Sequence, residues 1–232
     1  MKSLLVLLLC FIVSSNAQQP EITKPERTAR KPQPSLAAIT DAPNLPRVLL
    51  IGDSISMDYT LPVRELLKGK ANLHRVPTNG GSTNDGITKI DSWLGTGKWD
   101  VIHFNWGLHD LKHFKDGKMD LAAPQVSTPD EYEKNLRELV ERMKVTGAKL
   151  IWATTTPVPE GSDGRVPGDD VKYNAVAARV MKDMGVPTDD LHAACVPKLQ
   201  EWQRPKNVHF TTEGSAGLAA RVAAEIQSAL KK

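Results

Sequence analysis

From Arg47 onward the chain alternates short runs of branched apolar residues with longer amphipathic segments, and few folds accept that pattern. Arg47 to Ile51, Val101 to Asn105 and Ala148 to Thr154 predict buried strands, with shorter ones over Leu73 to Pro77 and Pro187 to Leu191. Thr60 to Lys68 predicts a helix with Pro62 in its first turn, and Asp85 to Leu94 a second, ended by Gly95 and Gly97. Pro129 to Val145, Gly168 to Met184 and Glu213 to Leu230 complete the helical set. Strand–helix alternation means parallel strands joined by right-handed crossovers, with helices on both faces. The expected fold is a three-layer α/β/α domain around a central parallel sheet. In such sheets the working residues collect in loops at the carboxyl ends of the strands.

Composition bounds the rest. A chain of 232 residues, 40% hydrophobic and 25% charged, supports one full domain with a real core but not two. No apolar run reaches the ~18 residues of a membrane span. A formal charge of +3, with acids and bases intermixed, leaves no nucleic-acid footprint. Met1-Lys2, the apolar run Leu4 to Val13 and the small residues Ser15 and Ala17 form a secretory signal over 1–17, cut after Ala17. Export to a secreted or periplasmic location is therefore expected. Cleavage removes Lys2 and Cys10 and leaves a single cysteine, Cys195, so the mature protein depends on its core rather than on an internal disulfide. Residues 18–46 carry six prolines and no aromatic residue, which reads as an extended, disordered tether before a domain spanning 47–232.

Four loops draw attention. The first strand runs into Gly52-Asp53-Ser54, where glycine permits a tight turn and Ser54 would stand exposed at a helix start, near amides that stabilise negative charge. Alone, this triplet reads first as a helix N-cap. The second strand is followed by Asn79-Gly80-Gly81-Ser82, whose glycines bring bare amides close to a ligand. The third is followed by Trp106-Gly107-Leu108-His109-Asp110. Val208-His209-Phe210-Thr211-Thr212-Glu213-Gly214 precedes the last helix.

In order and placement these blocks resemble the SGNH hydrolases, also called the GDSL esterase/lipase family, over essentially Arg47 to Leu230. The resemblance implies a flavodoxin-like sheet and a serine esterase acting on a small-molecule or carbohydrate ester without cofactor or metal. For an exported member with short loops, the resemblance implies a small acyl group such as acetyl on a carbohydrate. Position by position, it implies Ser54 as nucleophile and His209 as base. The oxyanion hole would come from the amides of Ser54 and Gly81, with Gly80 less securely placed, and from the side chain at 109. Asp53, Gly80 and Asp110 would line the site, and Trp106, at a strand end beside Gly107, either lines its mouth or packs, the former being favoured.

The chain departs from the family twice. Histidine stands at 109 where the family has asparagine, and an imidazole N–H can donate in its place. Lys206 occupies the position three before His209 where the family has aspartate. A main-chain carbonyl in the Arg204 to Asn207 turn is then expected to orient the ring, with Lys206 turned to solvent. These departures keep open a catalytically silent binding module on the same fold. His109-Asp110-Leu111-Lys112-His113 has zinc-like histidine spacing, which raises a metal-dependent hydrolase as a further alternative. It places Asp where Glu is required and starts directly off a strand, so no metal is expected. Gly95-Thr96-Gly97-Lys98 is a turn rather than a phosphate loop. Cys195, with His192 three residues before it, is expected in the core, and His74 and His103 are expected to be structural.

Overall fold

Arg47–Ile51 forms strand β1 and Ser54–Leu66 helix α1; β2 follows at Asn72–Arg75, α2 at Thr83–Leu94 and β3 at Val101–Phe104 in a computed structural model that describes residues 33–231. Next come a small hairpin, β4 (Phe114–Lys115) with β5 (Lys118–Met119), then α3 (Pro129–Lys144), β6 (Lys149–Ala153), α4 (Asp169–Asp183) and β7 (Thr188–Asp189). Short helices α5 (Leu191–Cys195) and α6 (Leu199–Trp202) lead to the long closing helix α7 (Thr212–Lys231). The main sheet has the order β2-β1-β3-β6-β7, with all its pairs parallel. Helices α1 and α7 pack together on one face, and α2, α3 and α4 on the other. This is the α/β/α layering expected from the alternation. It places the reversal of strand order at β1 and β3, where a ligand crevice forms beyond the strand ends.

The strands are buried on both faces: the continuous apolar run Val48 to Ile51 is almost wholly enclosed, and so is Val101 to Phe104, where the buried His103 pairs with Asp189 at 3.1 Å. Helices α2 and α3 begin in capping boxes, Ser82 with Asp85 and Thr128 with Glu131, which fix their starts. Helix α1 starts six residues earlier than Thr60 because Asp53 caps it, and Pro62 is carried inside the helix rather than in its first turn. The β4–β5 hairpin is absent from the sequence expectations, although Asp116-Gly117 carries its signal. Both residues have positive φ, 50° and 79°, as a two-residue primed turn requires. Cys195 is buried, and burial pushes its thiol up to about 12, which suits a core residue and not a nucleophile.

The expected signal segment 1–17 and residues 18–32 of the expected tether lie outside the described residues. Residues 33–46 correct the tether reading. Arg64 donates to Pro34 O and Ala37 O at 3.4 and 3.0 Å. The Asn72 carboxamide accepts from Ala42 N–H at 2.9 Å and donates to Ala42 O and Leu45 O at 3.0 and 3.2 Å. The Asp41 carboxylate bridges Arg47 and His74, at 2.8 and 2.5 Å. Apolar content alone misjudges this stretch, because polar side chains on α1 and β2 satisfy its backbone groups directly. Replacing Asn72 with alanine should cost about 1–3 kcal/mol and make the Ala42 amide one of the first to exchange. Unchanged protection of Ala42 by hydrogen exchange would show that Asn72 does not hold the strap.

Candidate active site

Strand β1 ends at Ile51, and within three residues the chain has reversed into α1 with Ser54 as its first residue. The Asp53 side chain accepts from Ile55 N–H at 3.0 Å, leaving the Ser54 amide among the unpaired donors of the helix start. The turn is held from below by Arg75 at the end of β2. Its guanidinium donates to Gly52 O at 2.8 Å, Asp53 O at 3.1 Å and Ser56 Oγ at 2.6 Å. Arg75 is only 8% exposed, and burial pulls it down to about 10. It therefore remains a cation at neutral pH. The sequence reading missed it, although a charged residue closing a buried strand was a visible signal.

The second loop lies against the first. Gly80 N–H donates to Gly52 O at 2.9 Å, and a Cβ at Gly80 would stand 2.7 Å from that same oxygen, so only glycine fits. Gly80 is thus buried structure rather than site lining. Gly81 adopts φ 63°, and its amide donates to Asn79 Oδ1 at 2.9 Å.

His209 reaches the nucleophile position across the molecule. Gln203 bridges to Phe210, and the Gln203 amide ties the loop to Pro157 O at 2.7 Å, which places residues 204–209 above Ser54. His209 Nε2 lies 2.9 Å from Ser54 Oγ, and Nδ1 lies 2.7 Å from Asn207 Oδ1. The same Asn207 oxygen accepts the His209 backbone N–H at 2.9 Å. A backbone N–H only donates, so the atom is the carboxamide oxygen and Nδ1 carries the ring proton. Nε2 then presents its lone pair to the Ser54 hydroxyl. The ring is therefore oriented by a side chain, not by the expected main-chain carbonyl. Within the turn, Arg204 O instead accepts Asn207 N–H at 3.2 Å. Lys206, at φ 55°, has its stem beside Gly161 and is exposed to solvent, as expected. Asn207 was legible as a short acceptor two residues before the histidine, although the family pattern places the acceptor one residue earlier.

The third loop splits the expected residues. Trp106 was expected to line the site, but it is buried against Phe104, at 6.0 Å between ring centres, and its Nε1 donates to Gly80 O at 3.3 Å. Asp110, also expected there, is 0% exposed. Its Oδ1 accepts the Thr83 amide at 2.9 Å and the Thr83 and Ser127 hydroxyls at 2.6 and 2.8 Å, clamping the start of α2. Asp53 is buried as well and serves as the cap of α1. Only His109 among the loop's polar side chains stays half-exposed and unclaimed by the core. Burial lowers its imidazole pKa, Lys112 and Arg165 push the same way, and Asp53 and Asp85 pull it up. His113 commits Nδ1 to Ala123 O at 2.6 Å, bracing the hairpin. Among the described residues, no three His, Cys, Asp or Glu side chains gather to hold a metal ion.

The model of the GDSL-like Lipase/Acylhydrolase family matches residues 50–216. An acetyl xylan esterase structure superposes with a TM-score of 0.65 at 18% identity, covering 78% of this chain and 99% of its own. A lipase/acylhydrolase from Enterococcus faecalis gives 0.68 at 19%, covering 79% and 96%. An acetylxylan esterase from Geobacillus stearothermophilus gives 0.64 at 21%, covering 78% and 94%. None of the curated protein sequences compared matches the chain.

The Asp110 clamp has a pH signature. Burial pushes its carboxyl up to about 6, above the ordinary carboxylate value, although the Thr83 and Ser127 donors oppose the shift. Between pH about 4 and 6 the folded state holds a proton that the unfolded state has lost. The contribution of this group is therefore fully present below pH 4 and is lost as pH rises through about 6. In urea unfolding, the stability difference between wild type and Asp110→Asn should shrink across that window by up to about 3 kcal/mol. A constant difference would show that the carboxyl titrates normally.

Proposed function

Because the chain belongs to the GDSL-like Lipase/Acylhydrolase family and is a carboxylic ester hydrolase, we propose that Ser54 and His209 are its catalytic dyad. The observation that carries this reading is Ser54 Oγ at 2.9 Å from a His209 Nε2 that holds a lone pair, because Asn207 Oδ1 keeps the ring proton on Nδ1. His209 accepts the hydroxyl proton as Ser54 attacks the ester carbonyl, then returns it to the departing alcohol. Water repeats the cycle on the acyl-enzyme. The oxyanion takes the Ser54 amide at the start of α1, the His109 side chain, and the Gly81 amide once Asn79 shares that donor. Asn207 fixes the tautomer as the family's aspartate would, but it is neutral and adds no charge to stabilise the imidazolium.

The substrate we assign is a short acyl ester, acetyl on a carbohydrate foremost. Two of the similar structures are acetylxylan esterases, which supports that choice. The start of the sequence, with its apolar run Leu4 to Val13, supports export of the enzyme.

Short-chain p-nitrophenyl esters should be turned over, and a fluorophosphonate probe should label Ser54. Ser54→Ala should abolish both with the thermal midpoint nearly unchanged. A folded protein that neither turns over esters nor takes the probe is a binding module instead. Prolonged chelation should leave hydrolysis intact, and loss restored by zinc would point to His109 and His113 as metal ligands.

The orienting role of Asn207 has its own test. Asn207→Ala should lower kcat on the order of 10²-fold or more, by freeing the wrong tautomer. Asn207→Asp should keep or raise kcat, since a carboxylate accepts the same two N–H groups and adds charge. Equal losses from both variants would remove Asn207 from the mechanism.

A further inference from the structure

Histidine at 109 poses a problem that asparagine would not. A carboxamide always carries N–H donors, whereas a neutral imidazole has one donor and one acceptor. With the proton on the wrong nitrogen, the ring would aim a lone pair at the oxyanion and repel it.

Lys112 resolves this. Gly107 O accepts the amides of Asp110 and Leu111, both at 2.9 Å, so residues 107–111 make a single tight turn that returns Lys112 beside His109. Lys112 Nζ stands 3.4 Å from His109 Nδ1. The stem is fixed as well: Nζ lies 4.7 Å from the centre of the Phe114 ring, and Lys112 O accepts Val126 N–H at 3.0 Å. Among the described residues Lys112 makes no salt bridge; the carboxylates of Asp85 and Asp110 act on its ammonium only at longer range. An ammonium has donors and no acceptor, so Nδ1 is the accepting nitrogen and the proton of the neutral ring sits on Nε2.

We infer that Lys112 is a positioning residue that turns His109 into an oxyanion donor by holding its ring in the neutral Nε2–H form. This rests on the reading of His109 as part of the oxyanion hole. The charges around the ring agree with it. Lys112 on the same loop and Arg165, which anchors itself on Leu108 O at 2.9 Å, both oppose a second proton. Asp53 at the start of α1 and Asp85 on α2 favour one, and burial adds to the effect of the cations.

A double-mutant cycle separates this role from a structural one. With histidine at 109, Lys112→Met should lower kcat for p-nitrophenyl acetate on the order of 10-fold or more, with KM little changed. With His109→Asn as the background, the same substitution should cost less than about twofold, because a carboxamide needs no tautomer control. Nitrogen-15 spectroscopy of the His109 ring should find Nδ1 unprotonated in the wild type, and a shifted tautomer balance in Lys112→Met. Equal kcat losses in both backgrounds, or an unchanged tautomer, would overturn the inference. A wild type that hydrolyses no ester would instead overturn the esterase reading, while the spectroscopy still decides what Lys112 does.

Discussion

A buried guanidinium under the first strand-end turn is the contact on which the geometry above it depends. Arg75 gathers Gly52 O, Asp53 O and Ser56 Oγ, three groups that also bond to Gly80 N–H, Met57 N–H and one another, into one buried network under the reversal from β1 into α1. Burying a cation costs several kcal/mol, and the arrangement is stable only because these acceptors surround it. Its Nε is left without a partner, so the satisfaction is not complete. Because Arg75 closes β2 and the turn closes β1, the contact ties two adjacent strand ends together. The Gly80 amide makes the same tie from the next loop, on the same Gly52 oxygen. Ser54 therefore stands on a support held from two sides.

Above that support stand two histidines with contrasting partners. His209 meets a carboxamide oxygen at Nδ1, keeps its proton there and offers a lone pair to Ser54. His109 meets an ammonium at Nδ1, and on our reading keeps its proton on Nε2. One ring becomes an acceptor and the other a donor because one partner only accepts and the other only donates. Neither partner is what the family pattern supplies. The aspartate position holds Lys206, whose stem lies on Gly161, while Asn207 takes the orienting role from the next position. The asparagine position holds His109, and Lys112 stands one turn away to govern it.

The layered fold was legible because it is written in local periodicity. Continuous runs such as Val48 to Ile51 read as strands buried on two faces, and the helix expected from Asp85 lies within two residues of its start at Thr83. The strap at 33–46 was not legible, because its order comes from Arg64 and Asn72, far from it in sequence. Trp106 and Asp110 were misplaced for a related reason. A strand-end position looks equally suited to lining a crevice or filling a core until the neighbouring helices are packed. The start of α2 and the segments leading into α2 and α3 put Thr83 and Ser127 around Asp110 and brought Trp106 against Gly80 O.

By itself the sequence determined the strand–helix order, and with it the end of the sheet where Ser54, Gly81, His109 and His209 would fall. For Ser54, Gly81 and His109 that follows from apolar periodicity and right-handed crossovers, which need no long-range detail, and for His209 from the family resemblance of its block. Only the tertiary structure decided which atom faces which. Ser54 and His209 are 155 residues apart, and the proton positions on His209 follow from a pairing of 2.7 Å with Asn207. Hydrogen bonds depend on tenths of an ångström and on direction, whereas periodicity specifies only which face a side chain takes. The sequence could therefore name the two histidines, but not what each of their ring nitrogens does.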